Sequence, residues 1–566
     1  DTHVLHGRER LRYINRSPAT LDTLWLHQHL NAFRPNSAWA RRELKFGERR
    51  FQDLGPDDYA YERFTAPVTV DGQPVHPVYP GAPDSTVVGL PLPAPLHPGD
   101  TVTVRMDWDA RLSTTPRRQG RNGRHYDFAQ WYPRIAVYDQ SGWEEHPLLP
   151  QGEFYGEFAS YDVTLDLPSD QVMGATGVPA EGDPGWQGAA APGTGDILYQ
   201  RDFYGTKPAE PLGFLDESAA PGRKRVRWRA AHVQHFAWST DPEYTYEQGS
   251  VARAGTGASP GRIAIHVLYQ PGDTAWDEGV TVERSATVLA WEQQKVGPYV
   301  WPQFTNLHRF ERGGTEFPMM VMDGSASLGL IAHEGSHQWF YGMLANNQWK
   351  SSWLDEGFAS FMANWFFEDH GETNVWDRTM EGMRRWERAG RSQPVAEPAE
   401  DFRDFGTYNV MTYTKTSIVL RMLRAMVGPA TMQKILQRYY QENVLHHVTE
   451  QDFRRAVREV TGESYDWFFD EWLHTDKTLD YGVTAATTRY DDGQWRTEVQ
   501  VTRIGDIWMP VTLLVDGVTR TLDSHDRVQT VEITTAEAPT EVVLDPEDVL
   551  LDLDPSNNSR QVRQID

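Results

Sequence analysis

Ile331-Ala332-His333-Glu334-Gly335-Ser336-His337-Gln338-Trp339-Phe340 is the stretch around which the rest of the chain organises. It lies in a run of helical character from about Ser327 to Tyr341, and on a helix residues four apart share a face. His333 and His337 therefore present two imidazoles close enough to hold one ion, while Glu334, one residue along, lies beside that ion and not on it. This geometry suits zinc. Two imidazoles leave a third protein ligand to be found.

Eighteen residues separate His337 from Glu356, in the segment Ser352-Trp353-Leu354-Asp355-Glu356-Gly357-Phe358-Ala359, which opens a second apolar helix running towards His370. Packed antiparallel to the first helix, this one brings Glu356 in its first turn to a His2Glu set and leaves the fourth position to water, as catalytic zinc sites require. The chain has no Cys, which excludes disulfides, thiol nucleophiles and thiolate metal sites. A metal-bound imidazole ordinarily gives its other nitrogen to a carboxylate or carbonyl. One and two turns past Glu356 stand Ser360 and Ala363, so that partner comes from elsewhere.

These motifs resemble the aminopeptidase N family of gluzincin metallopeptidases, whose signature is H-E-x-x-H, eighteen residues, then Glu within W-L-x-E-G-F-A. The resemblance implies one zinc ion on His333, His337 and Glu356, with Glu334 as general base. Gly313-Gly314-Thr315-Glu316-Phe317 resembles the family's G-x-M-E-N motif, which implies that Gly313 and Gly314 line the substrate and that Glu316 holds its free α-amine. Tyr413-Thr414-Lys415 resembles the Y-x-K-G motif, which gives Tyr413 the developing oxyanion, with Tyr408 lining the same cavity. A second amine clamp from the first domain falls on Gln130, in Ala129-Gln130-Trp131-Tyr132-Pro133. The sequence departs from the pattern at Thr315, Phe317 and Thr416, where the family has Met, Asn and Gly, and Glu316 precedes His333 by only 17 residues.

Outward from this centre, 566 residues suggest three or four domains. Residues 1–245 read as strands: Thr101 to Met106 and Tyr161 to Leu167 alternate, and Asp71-Gly72 is a hairpin turn. Gly174 to Asp196, rich in Gly, Pro and Ala, reads as a surface loop. Residues 246–476 read as helices around one strand at Ile263 to Tyr269, including Val282 to Val296, Met411 to Val427 before Gly428, and a helix capped by Thr449. Residues 477–566 return to strands, with turns at Asp492-Gly493 and Asp516-Gly517. The expected fold is multidomain α+β: an N-terminal β-sandwich or saddle, a thermolysin-like, mostly helical catalytic domain, and a C-terminal immunoglobulin-like β-sandwich.

Lys plus Arg number 54 against 80 Asp plus Glu, a net charge of −26 with no segregated basic patch, which argues against nucleic acid. No apolar run approaches the roughly 18 residues of a membrane span. The opening Asp1-Thr2-His3-Val4 lacks an initiator Met, which leans towards an exported, processed chain. Gly255 to Gly261 precedes a strand and so reads as a linker, not a phosphate loop; His446-His447 reads as solvated; the aromatics of Trp353 to Phe367 read as core. The functional expectation is a zinc aminopeptidase acting on peptides with a free N-terminus. The alternatives are a zinc endopeptidase with an open amine pocket and a non-catalytic peptide-binding scaffold. Retention of Glu334 and all three ligands argues against the scaffold. Oligomeric state is not legible in the sequence.

Overall fold

The computed structural model describes residues 2–186, 219–255 and 261–565. The chain is a multidomain α+β protein whose contacts divide it into two compact units. One comprises Asp1–Asp355 with Leu436–Thr449, the other Glu356–Ile435 with Glu450–Asp566.

The first unit begins as sheets because its apolar residues recur every second position. Thr101–Arg111 turns Val102, Val104, Met106 and Trp108 inward and pairs antiparallel with Leu5–Ile14 along one stretch and Tyr61–Phe64 along another. Asp71 and Gly72, both at positive φ, close the expected hairpin between Thr69–Val70 and Gln73–Pro74. A second sheet runs Arg134–Ile135, Leu21–His27, Val87–Leu96. Tyr161 to Leu167 lies within the strand Ala159–Pro168, paired with Arg223–Val233.

A four-stranded mixed sheet follows in the same unit: Thr245–Ala252, Arg262–Tyr269, Gln303–His308, Met320–Asp323. The first pair is antiparallel and the others parallel, with the helix Val280–Lys295 as the crossover between Arg262–Tyr269 and Gln303–His308. The motif helix Leu328–Ser336 leaves the last strand and packs on that crossover helix. A Cβ on Gly335 would stand 2.8 Å from Val288 Cγ1, and Ser336 Oγ donates to Glu292 Oε1 at 2.5 Å.

In the second unit the helix Glu356–Asp369 buries Phe358, Phe361, Met362, Trp365 and Phe366, as read from the sequence. It packs on Thr416–Val427, and Arg424 Nη2 meets Glu368 Oε2 at 2.6 Å. Residues 481–564 form two four-stranded sheets, with Asp492-Gly493 and Asp516-Gly517 as left-handed hairpin turns. Val499, Val501 and Ile533 are buried from one sheet, Leu513, Val542 and Leu544 from the other.

Four sequence readings are corrected. The strand at Ile263 to Tyr269 is not alone among helices: Thr245–Ala252, Gln303–His308 and Met320–Asp323 pair into one sheet with it. Gly174 is not loop: it lies in the strand Val172–Ala175, and Val178–Glu181 is another strand. A Cβ on Gly174 would stand 3.0 Å from Leu307 Cδ1, so its smallness serves packing. Gln187 to Asp196, the rest of that reading, falls outside the described residues, as does most of Gly255 to Gly261. His446-His447 is not a solvated connection but part of the strand His446–Val448, parallel to Leu344–Asn346. His447 Nε2 meets Gly156 O at 3.0 Å. The motif helix stops at Ser336 and not at Tyr341, so that His337 is its C-cap.

Candidate metal centre

Ser327 accepts from Leu330 N and starts the motif helix, which fixes the turn on which His333 stands. His337 Nε2 comes to 3.2 Å from His333 Nε2, the convergence that i, i+4 spacing requires of two imidazoles sharing an ion. Among the described residues, His333, His337 and Glu356 each offer one ligand atom, and these atoms lie within 4.8 Å of one another. Two imidazoles and a carboxylate, with no thiolate in the chain, form a donor set that fits zinc better than hard cations, which take oxygen ligands.

His337 Nδ1 hydrogen-bonds to Phe340 O at 3.2 Å and lies beside the carboxylate of Asp355. Asp355 Oδ1 lies 2.6 Å from His337 Nδ1, both side chains being buried, and with Nδ1 so occupied Nε2 is the nitrogen that would hold an ion. The sequence carried the signal, an acidic residue immediately before the third ligand. Helical spacing looked past it, because Asp355 belongs to the link between the 3-10 turn Ser352–Leu354 and the helix Glu356–Asp369.

Gln348, fully buried, ties this carboxylate to another. Its Nε2 donates to Asp355 Oδ2 at 2.6 Å and to Glu316 Oε1 at 3.3 Å, while its Oε1 accepts from the backbone N–H of Phe154. Both amide hydrogens are thus spent on carboxylates. No motif announced Gln348.

The segment Gly313–Thr315 runs beside the strand Met320–Asp323, through Thr315 N to Met322 O at 3.0 Å and Gly324 N to Gly313 O at 2.8 Å. Buried Arg309 grips it from behind, donating to Gly314 O at 2.8 Å, to Arg312 O at 3.2 Å and to Thr315 Oγ1. Gly314 leaves room for the Glu334 carboxylate: a Cβ there would lie 2.1 Å from Glu334 Oε1, and that side chain would have to shift. The loop that ends in Glu316 is therefore in direct contact with the carboxylate of Glu334.

Tyr413 lies in a π-helical turn, Val410–Lys415, inserted between the short helix Phe405–Asn409 and Thr416–Val427. Such widened turns recur at functional sites. Its phenol donates to Glu356 Oε1. Lys415 Nζ meets Glu387 Oε1 at 3.0 Å, with both side chains fully buried. Tyr408 packs its ring on Phe402 and Phe405. Gln130, at positive φ, has its Oε1 3.0 Å from His29 Nδ1. The upstream segment that reaches the partner of Glu316 is instead Phe154.

Residues 319–472 match the peptidase family M1 domain. Aminopeptidase M1-A of Oryza sativa subsp. japonica is 28% identical over 178 residues, covering 30% of this chain and 19% of that protein. Mitochondrial aminopeptidase 2 of Saccharomyces cerevisiae is 22% identical over 237 residues, covering 37% and 25%. The chain thus spans about a fifth to a quarter of the length of these curated relatives. The M1 zinc metallopeptidase of Deinococcus radiodurans superposes with a TM-score of 0.55 at 16% identity, over 83% of this chain and 90% of that one. A mutant of that protein was solved with a Tyr-Ser-Ala substrate. Residues 319–472 thus match the peptidase family M1 domain, and they carry H-E-x-x-H, Glu356 and Tyr413 in that order, with Glu316 three residues before the matched segment.

Proposed function

We propose that this protein is a zinc-dependent aminopeptidase that hydrolyses the first peptide bond of peptides with a free N-terminus. The observation that carries the reading is the convergence of His333, His337 and Glu356, with Glu334 packed against the loop that ends in Glu316. The names of the relatives support it, as does the peptide-bound neighbour. We further read residues 1–245, 246–476 and 477–566 as the saddle-like, thermolysin-like and immunoglobulin-like domains of such an enzyme.

In this reading His333, His337 and Glu356 hold the zinc. Zinc bound there supplies Lewis acidity to the scissile carbonyl and lowers the pKa of water to about 7. Glu334 accepts the proton of the attacking water and passes it to the leaving amine. Tyr413 turns its phenol O–H onto the carbonyl oxygen as it gains charge, a donor contributing about 3 kcal/mol when preorganised. Glu316 pairs with the substrate ammonium, which sets the cut one residue from the N-terminus. Gln348 and Asp355 hold position and exchange no proton with substrate.

The test is hydrolysis of aminoacyl-anilides, their N-acetylated counterparts and an internally quenched peptide, with chelator and then with zinc restored. Chelator-sensitive turnover of the free-amine substrates alone is the expected result. Turnover of the blocked or internal peptides would replace the reading with an endopeptidase.

A further inference from the structure

Just past the motif helix the chain passes through a backbone conformation that bulky residues rarely adopt. Tyr341, fully buried, stands at φ 106°, in the left-handed region that favours glycine, so its backbone is strained. The phenol does not account for it, since its oxygen has no hydrogen-bond partner among the described residues. The ring is held among aromatics, its centroid 5.8 Å from that of His235 and 6.1 Å from that of Phe154. Strained conformations persist only where their surroundings fix them, and here the fixing contacts lead to the metal centre.

The φ angle of Tyr341 sets how two successive peptide planes are turned against each other. The first plane carries Phe340 O, which accepts from His337 Nδ1 at 3.2 Å, and Tyr341 N, which donates to Leu344 O at 3.1 Å. The second carries Tyr341 O and Gly342 N, and Gly342 N donates to His337 O at 2.8 Å. Both planes therefore meet His337, one at its ring and one at its carbonyl oxygen. Tyr341 O accepts from Gln234 Nε2 at 2.7 Å, and the same nitrogen reaches Gly342 O at 3.4 Å. Gln234 is fully buried, directly after the strand Arg223–Val233, and the end of an amide that faces two carbonyl oxygens must be its NH2. Without that donor, Tyr341 is free to relax towards negative φ, a rotation that turns Phe340 O relative to the imidazole.

We propose that Gln234 and Tyr341 are positioning residues for the zinc ligand His337: Gln234 holds the strained peptide of Tyr341, and that peptide holds Phe340 O on Nδ1 of the imidazole. Asp355 remains beside Nδ1 when the clamp is lost, so zinc binding weakens without being abolished. The inference rests on the zinc reading of the centre and not on the peptidase chemistry assigned to it.

The test is a double-mutant cycle on the whole chain, with the zinc Kd measured by competition with a chelator at fixed pH and Tm recorded for each protein. Gln234→Met keeps the length of the side chain and removes the donor. It should raise the zinc Kd at least about tenfold in the wild-type background and less than about threefold in the Tyr341→Gly background, because glycine adopts positive φ unaided. If Tyr341→Gly does not fold, NMR of the His337 Nδ1 proton compares zinc-loaded wild type with Gln234→Met. That proton should move upfield and exchange faster with water once Phe340 O turns away. An unchanged zinc Kd in Gln234→Met, an equal loss in both backgrounds with Tm lowered alike, or an unmoved Nδ1 proton would overturn the proposal. Wild-type protein that takes up no zinc, or His337→Ala that binds it as tightly as wild type, would instead overturn the zinc reading beneath it.

Discussion

Glu334, Tyr413 and Gln348 bear on the proposed reaction in separable ways. Glu334→Gln keeps the shape against Gly314 but removes the proton acceptor, so turnover should fall about a hundred- to ten-thousandfold with zinc content unchanged. Loss of zinc in that variant, measured by metal analysis, would move Glu334 from base to structural support. Tyr413→Phe should lower kcat about a hundred- to a thousandfold, again with zinc retained. Gln348→Leu strips Glu316 and Asp355 of a shared donor while leaving both carboxylates in place. KM for free-amine anilides should rise about tenfold and zinc should exchange faster into a competing chelator. A change in kcat alone would show that Gln348 positions neither group.

At the scale of elements, the π turn Val410–Lys415 holds Tyr413, and the buried Lys415–Glu387 pair pins its last residue. Burial raises the Glu387 carboxyl and the Lys415 ammonium draws it back. Lys415→Met leaves that carboxylate buried alone and should cost about 3–5 kcal/mol, seen as a lower thermal midpoint. The double change Lys415→Met with Glu387→Leu should recover most of it, since an apolar pair of similar volume is often as stable. If the double variant is as unstable as the single one, the pair is not what anchors the turn. Much of this level was legible. The strands Thr101–Arg111 and Gln494–Arg503 and the helix Val280–Lys295 follow from apolar spacing and turn residues. The strands around Gly174 were not, because small residues chosen for close packing carry no alternation to read.

Across the molecule, pH should act through His125, which lies buried between Asp127 Oδ1 at 2.9 Å and Asp241 Oδ2 at 3.0 Å and so ties two neighbouring strands. Burial pulls its pKa down, but the two carboxylates outweigh that and raise it to about 9. A pKa raised above the unfolded value means that the stabilisation is fully present below about pH 6.5 and is lost as pH rises through about 9. Stability should therefore fall between pH 7 and 9 by on the order of 2–3 kcal/mol, read as a declining Tm, and His125→Gln should flatten that decline. An equal decline in the variant would place the titrating group elsewhere.

The sequence by itself determined the donor set of the centre: no thiolate, two imidazoles on one helical face and a carboxylate beside them. Residue type and i, i+4 spacing are local facts that no packing can change. It also determined the order of strand-rich and helix-rich stretches, since apolar periodicity follows burial. Only the tertiary structure decided that Asp355 lies beside His337, that Gln348 joins it to Glu316, and that Gly314 makes room for Glu334. These are contacts between residues far apart in the chain or outside regular elements. Their geometry depends on how strands and loops close on one another, and no periodicity in one dimension records it.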